Sequence, residues 1–193
     1  MSGILHAVVH AALSQWLHEG AWAVDATVGN GYDTCFLARS VGVTGHVWGF
    51  DIQKEALERA TKRLQEDNLA DRVTLLHAGH EHMEALLPEE VVGHVAVVMF
   101  NLGYLPGGDK RIITRPETTR MALEQAFTIL QPGGVISVVL YPGHAGGEEE
   151  AEAVRAFVEE GDGKAFMAYR FARIHTRRPA PEWFLLHKHR ADL

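Results

Sequence analysis

The sequence predicts a single α/β domain, spanning residues 1–193, with a mostly parallel sheet and helices on both faces. Two observations support this fold class. Short apolar runs alternate with longer amphipathic stretches, which is typical of consecutive βαβ units. Two of the runs, 94–100 and 135–140, are nearly all apolar, as strands buried on both faces should be. The 193 residues suffice for one hydrophobic core, and we find no internal boundary.

The individual elements follow from hydrophobic periodicity. Apolar side chains recur at helical spacing over 4–18, and in 54–66 Ala56, Ala60 and Leu64 share one face. The Gln-Pro-Gly-Gly stretch at 131–134 should end the helix before it. Strands are predicted at 21–25, 46–51, 73–77, 94–100, 135–140, 166–173 and 183–189, the last two as a pair, and helices at 4–18, 33–39, 54–66, 118–130 and 148–159.

Composition excludes several classes of protein. With 47% hydrophobic and 22% charged residues, the chain is globular rather than disordered. No apolar run approaches the roughly 20 residues that a membrane span needs, and the start lacks the pattern of a secretory signal. The one cysteine, Cys35, cannot form an intramolecular disulfide or a zinc site. We therefore expect a cytoplasmic protein without a membrane partner.

Charge is distributed unevenly along the chain. The net charge of −7 argues against a broad nucleic-acid footprint, but residues 164–193 hold seven basic and two acidic side chains, a balance of +5. The rest of the chain therefore carries −12. A second basic cluster comprises Lys110, Arg111, Arg115 and Arg120. Local basic patches can attract phosphates even in an acidic protein, although ordinary solvated surface is the alternative interpretation.

The loop after the first predicted strand has the features of a nucleotide-cofactor site. Gly29 and Gly31 lie between a strand and a helix start, where glycine lets the backbone approach a ligand. Asp51, at the end of the second strand about 20 residues later, is placed to accept hydrogen bonds from ribose hydroxyls. The pattern fits S-adenosylmethionine and NAD, and the missing third glycine favours S-adenosylmethionine. A simple tight turn, with Asp33 capping the next helix, is the alternative.

The loop after the fourth strand should meet whatever lies beside the cofactor. Its Asn101-x-x-Tyr104 pattern is similar to the (Asp/Asn)-Pro-Pro-(Tyr/Phe) loop of amine-directed methyltransferases. The Asn side-chain oxygen can accept an N–H bond and orient an amine, and Tyr104 can pack on a planar acceptor. A Gly/Pro-rich loop with a helix-capping Asn is the alternative.

At this point the chain resembles the Putative rRNA methylase family of bacterial class I methyltransferases over nearly its whole length. Two positions depart from the family pattern: Tyr32, where the family usually has His, and Gly79, where Ser commonly precedes His-Glu. The motifs that carry the resemblance are DATVGNG at 25–31, DT at 33–34, DIQ at 51–53, HE at 80–81, FNLGYLPGGDK at 100–110 and YPGH at 141–144.

The resemblance implies a Rossmann-like class I methyltransferase fold, with a seven-stranded sheet and an antiparallel last strand. It also implies methylation of RNA, since the family includes the tRNA methyltransferase that converts 5-aminomethyl-2-thiouridine at the wobble position to its methylaminomethyl form. With the glycine turn included, the expected cofactor contacts are Gly29, Asn30, Gly31, Asp33, Thr34, Asp51, Gln53 and His80. The expected acceptor contacts are Asn101, Tyr104, Tyr141 and His144.

The expected partner is tRNA, bound through its anticodon stem-loop. Its phosphates should contact both basic clusters, and the oligomeric state is left open, a homodimer included. The basic residues predicted to hold RNA are Lys110, Arg111, Arg115, Arg173, Arg177 and Arg178.

Other functions compete with this interpretation. The 12 histidines suggest a metal, but neither the group His77, His80 and His82 nor the pair His187 and His189 has ligand spacing, so we predict no metal site. A methyltransferase of rRNA or of a small-molecule amine would share the fold. A non-catalytic cofactor- or RNA-binding module is disfavoured by the Asn101–Tyr104 loop, and an NAD oxidoreductase by the missing glycine.

Overall fold

The computed structural model describes residues 2–103, 105, 107, 113–144, 146–175 and 179–190. The strands are β1 (Trp22–Asp25), β2 (His46–Asp51), β3 (Val73–His77), β4 (Val95–Leu102), β5 (Leu130–Leu140), β6 (Phe166–Ala172) and β7 (Glu182–Lys188). The α-helices are α1 (Ser2–Leu13), α2 (Tyr32–Ser40), α3 (Lys54–Glu66), α4 (Met83–Leu86), α5 (Pro116–Ile129) and α6 (Gly147–Glu160). Short 3₁₀ turns lie at Ala70–Arg72, His80–His82 and Glu89–Val91.

The seven strands form one sheet in the order β3-β2-β1-β4-β5-β7-β6. Strands β1 to β5 pair in parallel, and β7 runs antiparallel to both β5 and β6. The predicted fold class is therefore confirmed. Since the chain builds β1, β2 and β3 to one side and then returns to β4 on the other, a crevice opens between the loops that follow β1 and β4.

The central strands alternate their side chains between two apolar layers. In β4, Val98 and Phe100 belong to the core that includes Ala122 of α5, whereas Val97 and Met99 belong to the opposite core. The first core holds residues of α4, α5 and α6, and the second holds residues of α1, α2 and α3. Helices thus cover both faces, which explains why β4 is apolar throughout. None of the helices in the described part of the chain is long and apolar enough to cross a membrane.

The first helix is shorter than predicted. It ends at Leu13 rather than at residue 18, and the chain continues in a tighter turn in which Gln15 N–H donates to the Ala12 carbonyl and Trp16 N–H to that of Leu13. Leu17 is nevertheless buried in the core beneath this turn. The apolar spacing continues past Leu13 because this turn also directs apolar side chains into the core. The spacing alone therefore did not mark the end of the helix.

The start of β5 also differs from the prediction. The helix does end before the 131–134 stretch, as expected, but β5 begins at Leu130 and includes those residues. The register against β4 shifts between Val95 and Val97, and Gly133 has a φ of 78°. This irregularity allows Pro and Gly within an otherwise regular strand. The short helical turns after β3 were not predicted.

Candidate active site

A cavity of about 890 Å³ lies at the carboxyl ends of the parallel strands. Because these ends share one edge of the sheet, side chains far apart in sequence meet there. Helix α1 adds His6 to the wall. Most of the other lining residues lie at or after the ends of the parallel strands, within 26–33, 50–53, 78–81, 101–103 and 141–144 and at Leu105. The rest come from 113–118 and from Pro179 and Pro181.

At one end of the cavity, backbone amides hold the carboxylate of Asp51. The N–H of Gly29 donates to Oδ2 at 2.8 Å, and the N–H of Gln53 donates to Oδ1 at 2.8 Å. Burial raises the pKa of Asp51, and these two N–H groups oppose that rise. A carboxylate offers roughly four acceptor positions, so positions remain for two hydroxyl groups. Asp51, Gly29 and Gln53 all line the cavity, and their predicted contacts with a cofactor stay a prediction.

Two predicted cofactor contacts do not line the cavity. A Cβ at Gly31 would lie 2.9 Å from the Cα of Ala60, so this glycine is needed for close packing of the turn against α3. Thr34 is fully buried and donates its hydroxyl to Asp25 Oδ2 at 2.6 Å. In this structure both residues shape the turn from outside the cavity.

Asp25 supports that turn from below. Its side chain is fully buried, and its other oxygen accepts the N–H of Thr27 at 3.1 Å. Burial, with a smaller contribution from the charge of Asp33, raises the pKa of Asp25 to about 7. Asp25 thus lies beneath the cavity-lining residues Ala26 and Thr27, in surroundings that favour its protonated form.

Asn30 is held over the turn by helix α3. Arg63 Nε donates to the Asn30 carbonyl at 3.0 Å, and Arg59 donates to the side-chain Oδ1 at 3.3 Å. The Arg63 guanidinium also lies 3.8 Å from the ring centroid of Tyr32, one of the two departures from the family pattern. Asn30 and Tyr32 both line the cavity, and the cation–π contact explains how Tyr32 is held at its edge.

His80 lies on the wall between β1 and the segment after β3. Its Nδ1 is 3.3 Å from the Ala26 carbonyl, which can only accept, so Nδ1 carries the proton. Burial lowers the pKa of His80 and keeps the ring neutral. Nε2 is then an acceptor at the cavity, suited to an N–H donor on a ligand.

At the opposite end, the buried Asp33 is the centre of a partly buried hydrogen-bond network. Its Oδ1 lies 2.6 Å from His10 Nε2 and 3.7 Å from His6 Nδ1, and its Oδ2 accepts an N–H of Asn101 at 2.6 Å. Burial alone would raise the pKa of Asp33, but the two histidines hold it well below its usual range. Gly31 occupies the cap position of α2, so the alternative that Asp33 caps this helix is wrong.

The geometry of this network is that of hydrogen bonding. The ligand-type atoms of His6, His10 and Asp33 lie within 4.8 Å of one another. Two atoms that bind one ion at about 2.1 Å are themselves separated by about 3 Å. The 2.6 Å contact between His10 and Asp33 is shorter than that and is typical of a charge-assisted hydrogen bond.

Asn101 is positioned by both its backbone and its side chain. Its N–H donates to Thr27 Oγ1 at 2.7 Å. Because the Asp33 carboxylate can only accept, the side-chain NH₂ must face it, and Oδ1 faces away. Among the described residues, Oδ1 is a buried acceptor without a hydrogen-bond partner. Such groups are costly, so an unpartnered acceptor beside a cavity indicates a binding function.

Tyr141 and His144 follow β5 on the same wall. The Tyr141 hydroxyl lies 2.7 Å from His6 Nε2. Burial, with a smaller contribution from the charge of Asp33, raises the pKa of Tyr141 to about 12. Both residues line the cavity, and Arg115 is exposed at its edge, so their predicted roles as substrate contacts stay predictions.

A second buried carboxyl group anchors the segment that follows the Asn101 loop. Glu150 of α6 accepts the hydroxyls of Thr114 at 2.6 Å and Thr119 at 2.7 Å. Thr114 in turn bonds the backbone of Gly103 in both directions. The two ends of the loop are therefore tied together and fastened to α6.

Several predicted residues lie outside the described part of the chain, namely Tyr104, Lys110, Arg111, Arg177 and Arg178. The C-terminal charge count overstated the basic surface. Arg170 donates to Glu182 at 2.8 Å. Lys188 donates to the carbonyls of Phe127 in α5 and Leu130 at the start of β5, at 2.7 Å each. Arg120 is paired with Glu124 and Glu160.

Sequence reasoning missed four residues of the site: His6, His10, Thr114 and Glu150. The signal that could have found the first two is their i, i+4 spacing, which places both rings on one face of α1. Glu150 was interpreted only as part of a helix start, although it is 2% exposed. Nothing in the local sequence indicates which acidic residue of that helix is buried.

The strand order, the antiparallel β7 and the site at the carboxyl ends together define a class I methyltransferase fold. The chain belongs to the Putative rRNA methylase family, whose profile matches residues 47–187. A putative rRNA methylase from Clostridium thermocellum is 44% identical, with a TM-score of 0.90 over 94% of this chain and 96% of that one.

Two further relatives bear on function. A putative methyltransferase from Streptococcus mutans, solved in complex with SAH, is 32% identical, with a TM-score of 0.83 over 94% of this chain and 96% of that one. The chloroplastic tRNA (mnm(5)s(2)U34)-methyltransferase of Arabidopsis thaliana is 44% identical over 158 residues, 78% of this chain. The match spans 57% of that longer relative.

Proposed function

We propose that this chain is an S-adenosylmethionine-dependent N-methyltransferase of RNA. Its proposed substrate is 5-aminomethyl-2-thiouridine at the tRNA wobble position, and its product is 5-methylaminomethyl-2-thiouridine. The observation that carries the proposal is the side chain of Asn101, whose amide is held by Asp33 so that a buried oxygen is left to accept a hydrogen bond. The names of the Arabidopsis relative and of the family support the choice of RNA.

The cavity fits an adenosyl cofactor. Its volume lies within the roughly 300–1,000 Å³ range of small-molecule sites. Asp51 would accept the ribose hydroxyls, and His80 Nε2 would accept an N–H from the adenine. Ile52 and Leu105 add apolar surface to the same cavity. Bound here, S-adenosylmethionine supplies an electrophilic methyl group on a sulfonium.

The opposite end of the cavity suits an amine. The buried Asp33 carboxylate is anionic, and Asn101 Oδ1 and the Tyr141 hydroxyl are neutral acceptors. An alkylammonium ion has a reference pKa of about 10.4, so it enters the site charged at pH 7. The Asp33 charge attracts that form, while Asn101 accepts one N–H and holds the nitrogen in a fixed orientation. Alignment of this kind supplies much of the rate in a displacement reaction.

The RNA is proposed to bind across the edge of the cavity. Arg115 is exposed there, and Pro179 and Pro181, from the segment that leads into β7, line the same edge. Lys110, Arg111, Arg177 and Arg178 are proposed to contribute further phosphate contacts. An anticodon base is single-stranded and can enter a pocket without the cost of opening a duplex. Tyr104 is proposed to pack against that base.

The proposal includes the setting of the reaction. We place it in the cytoplasm, on the anticodon stem-loop of tRNA. The buried free thiol of Cys35 supports a reducing compartment.

The test is nucleoside mass spectrometry of RNA treated with the enzyme and S-adenosylmethionine. Three acceptors are compared: tRNA that carries 5-aminomethyl-2-thiouridine, the same tRNA lacking the aminomethyl group, and rRNA from the same cells. We expect a mass gain of one methyl group in the first alone. Methylation of rRNA, or of small amines such as lysine in place of tRNA, would redirect the assignment to those substrates.

Asn101→Ala separates the proposed role of this residue from cofactor binding. We expect this variant to bind the cofactor and to fail to methylate the aminomethyl tRNA at the wild-type rate. Wild-type turnover by the variant would show that the amine is oriented elsewhere, with Tyr141 and His144 as the next candidates.

A further inference from the structure

Helix α1 brings to the cavity a histidine that orienting the amine does not require. His6 lines the wall beside Tyr141, and its Nε2 lies 2.7 Å from the Tyr141 hydroxyl. Its other nitrogen, Nδ1, is 3.7 Å from Asp33 Oδ1. The three side chains come from α1, from α2 and from the segment after β5, 135 residues beyond His6. A contact of this kind links the N-terminal helix directly to the proposed acceptor site.

The donor and acceptor properties of Asp33, His6 and Tyr141 indicate which atom carries each proton. Asp33 is ionised and accepts from His10. His6 Nδ1, at 3.7 Å from Asp33 Oδ1, is beyond hydrogen-bond distance, but the nearby negative charge favours the proton of a neutral His6 on this nitrogen. Nε2 of His6 is then left with a lone pair, and the Tyr141 hydroxyl donates to it. The Tyr141 oxygen keeps its own lone pairs for an N–H donor in the cavity.

We propose that Tyr141 and His6 are the path by which the acceptor amine loses its proton before methyl transfer, with Asp33 holding His6 in the required tautomer. This inference rests on the proposed function, because it needs an amine that arrives as an ammonium ion. Tyr141 contacts the substrate, and His6 acts through Tyr141.

The step balances in protons and electrons. One N–H proton of the ammonium moves to the Tyr141 oxygen as the Tyr141 proton moves to His6 Nε2, which leaves a neutral amine and an imidazolium beside Asp33. The nitrogen lone pair then forms the N–C bond to the methyl group, and the pair of the breaking C–S bond stays on sulfur. The product is a secondary ammonium ion. His6 returns its proton to water, since a third of its side chain is exposed.

The other groups nearby are less suited to this task. The Asn101 amide cannot take up a proton, and Asp33 stays ionised because the histidines hold its pKa well below the usual range. Glu150 is bonded to two threonine hydroxyls. The titratable groups that face His6 are Asp33 from α2, His10 from its own helix and Tyr141.

The pKa directions agree with these roles. Interaction with the Asp33 carboxylate raises the pKa of His6, with burial opposing it, so the imidazolium is stabilised once it forms. Burial raises the pKa of Tyr141 to about 12, so the hydroxyl keeps a proton and relays it rather than acting as a base.

The decisive experiment is a single-turnover pH profile on aminomethyl tRNA for the wild type, His6→Gln and Tyr141→Phe. In the wild type we expect a rate that levels off above the pKa of His6, because transfer within the site conserves the number of protons. In both variants the amine must lose its proton to water, so the rate should rise about tenfold per pH unit toward its own pKa of about 10.4. The deficit should exceed about tenfold at pH 7.5 and shrink as pH rises, since one pKa unit is a tenfold change in the neutral fraction.

A matched substitution controls for changes on α1 and its turn. His18→Gln removes an exposed histidine whose ring bonds the backbone carbonyl of Glu19, and it should keep the wild-type profile. Variants whose rates fall equally at every pH would indicate a structural role and overturn the proton path. If the wild type forms no methylamine product at any pH, the proposed function is wrong, and the proton path is wrong with it.

A second measurement needs no turnover. The ¹⁵N NMR spectrum of the His6 ring in the free protein should show the proton on Nδ1 in the neutral form. Tyr141→Phe should shift the Nε2 signal by removing its hydrogen bond, with the His18 signals unchanged. A neutral His6 that carries its proton on Nε2 would overturn the path even in an active enzyme.

Discussion

The two ends of the cavity are held by different kinds of hydrogen bond. At the Asp51 end, the carboxylate is held by the backbone N–H groups of Gly29 and Gln53. At the Asn101 end, side chains bond to side chains, through Asp33, from four separate parts of the chain. Backbone donors stay in place as long as the loops keep their path. A side-chain network depends on every member, so substitutions within it should not be additive.

Asp25 and Thr27 connect the glycine turn to the Asn101 end of the cavity. Thr27 receives the N–H of Asn101 on its hydroxyl and gives its own N–H to Asp25. The following predictions are given in order of expected effect. They test whether Asp25 stabilises the whole site and whether the contacts at each end act independently.

The largest effect should come from titration of Asp25. Its pKa of about 7 when folded exceeds the ordinary value of 3.8, so the folded state binds the proton more tightly than the unfolded state. Its contribution to the free energy of unfolding is therefore fully present below pH 3.8 and is lost as pH rises to 7. At 1.36 kcal/mol per unit, the loss is about 4 kcal/mol.

Urea unfolding of the wild type and Asp25→Asn at pH 4, 6 and 8 measures this loss. The stability of the wild type relative to the variant should fall steadily across the series. A difference independent of pH would show that Asp25 has an ordinary pKa in the folded protein.

Asn101→Ala should affect only the acceptor end. Loss of one preorganised polar group costs roughly 2–4 kcal/mol in the transition state, or about 30- to 1,000-fold in rate. If Asn101 acts mainly in the transition state, kcat and kcat/KM should fall together. Steady-state kinetics measures both, and calorimetric titration with SAH should give a Kd close to that of the wild type. A Kd that rises with the fall in rate would show that the two ends are not separate.

Asp51→Ala should affect the opposite end. Removal of charge-assisted hydrogen bonds costs about 1.5–3 kcal/mol, which corresponds to roughly ten- to a hundred-fold in affinity. Calorimetric titration with SAH measures the change. Asp71→Ala is the matched control, because it removes an exposed carboxylate before β3. Unchanged affinity for SAH in Asp51→Ala would refute the ribose assignment.

Arg115→Glu should have the smallest effect, on RNA binding alone. Each lost phosphate contact lowers the slope of log affinity against log salt by about one. Filter binding of an anticodon stem-loop at several salt concentrations measures the slope. Arg120→Glu is the control, since Arg120 is already paired with Glu124 and Glu160. The same assay on a reversal of both Arg177 and Arg178 tests the predicted C-terminal patch, and a flat salt dependence would make both clusters ordinary surface.

Local patterns predicted the elements around the Asp51 end of the cavity well. The predicted ranges 46–51, 54–66 and 73–77 match β2, α3 and β3 to the residue. Each has a strict periodicity and a clear boundary residue, so neighbouring positions contain the required information. The prediction was wrong at the end of α1 and the start of β5, where tertiary packing overrides the local signal.

The candidate site could likewise be predicted only in part from the sequence. Gly29 and Asp51 could be predicted as cofactor contacts because a turn and an acid at fixed spacing are a local signature. The sequence also indicated Asn101 and Tyr141, but not that Asp33 would hold one and His6 the other. Gly31 and Thr34 belong to the motif and yet face away from the cavity, into α3 and onto Asp25.

The sequence by itself determined the order of strands and helices along the chain, and it predicted the glycine turn and the acid that are proposed to bind the cofactor. These depend on hydrophobic period and on short-range geometry, which are properties of neighbouring residues. Only the tertiary structure decided which carboxylates are buried, which amide oxygen is left without a partner and which histidine meets Tyr141. Those properties depend on contacts between residues 68 and 135 positions apart, which exist only once the sheet has brought α1, α2, β4 and β5 to one edge.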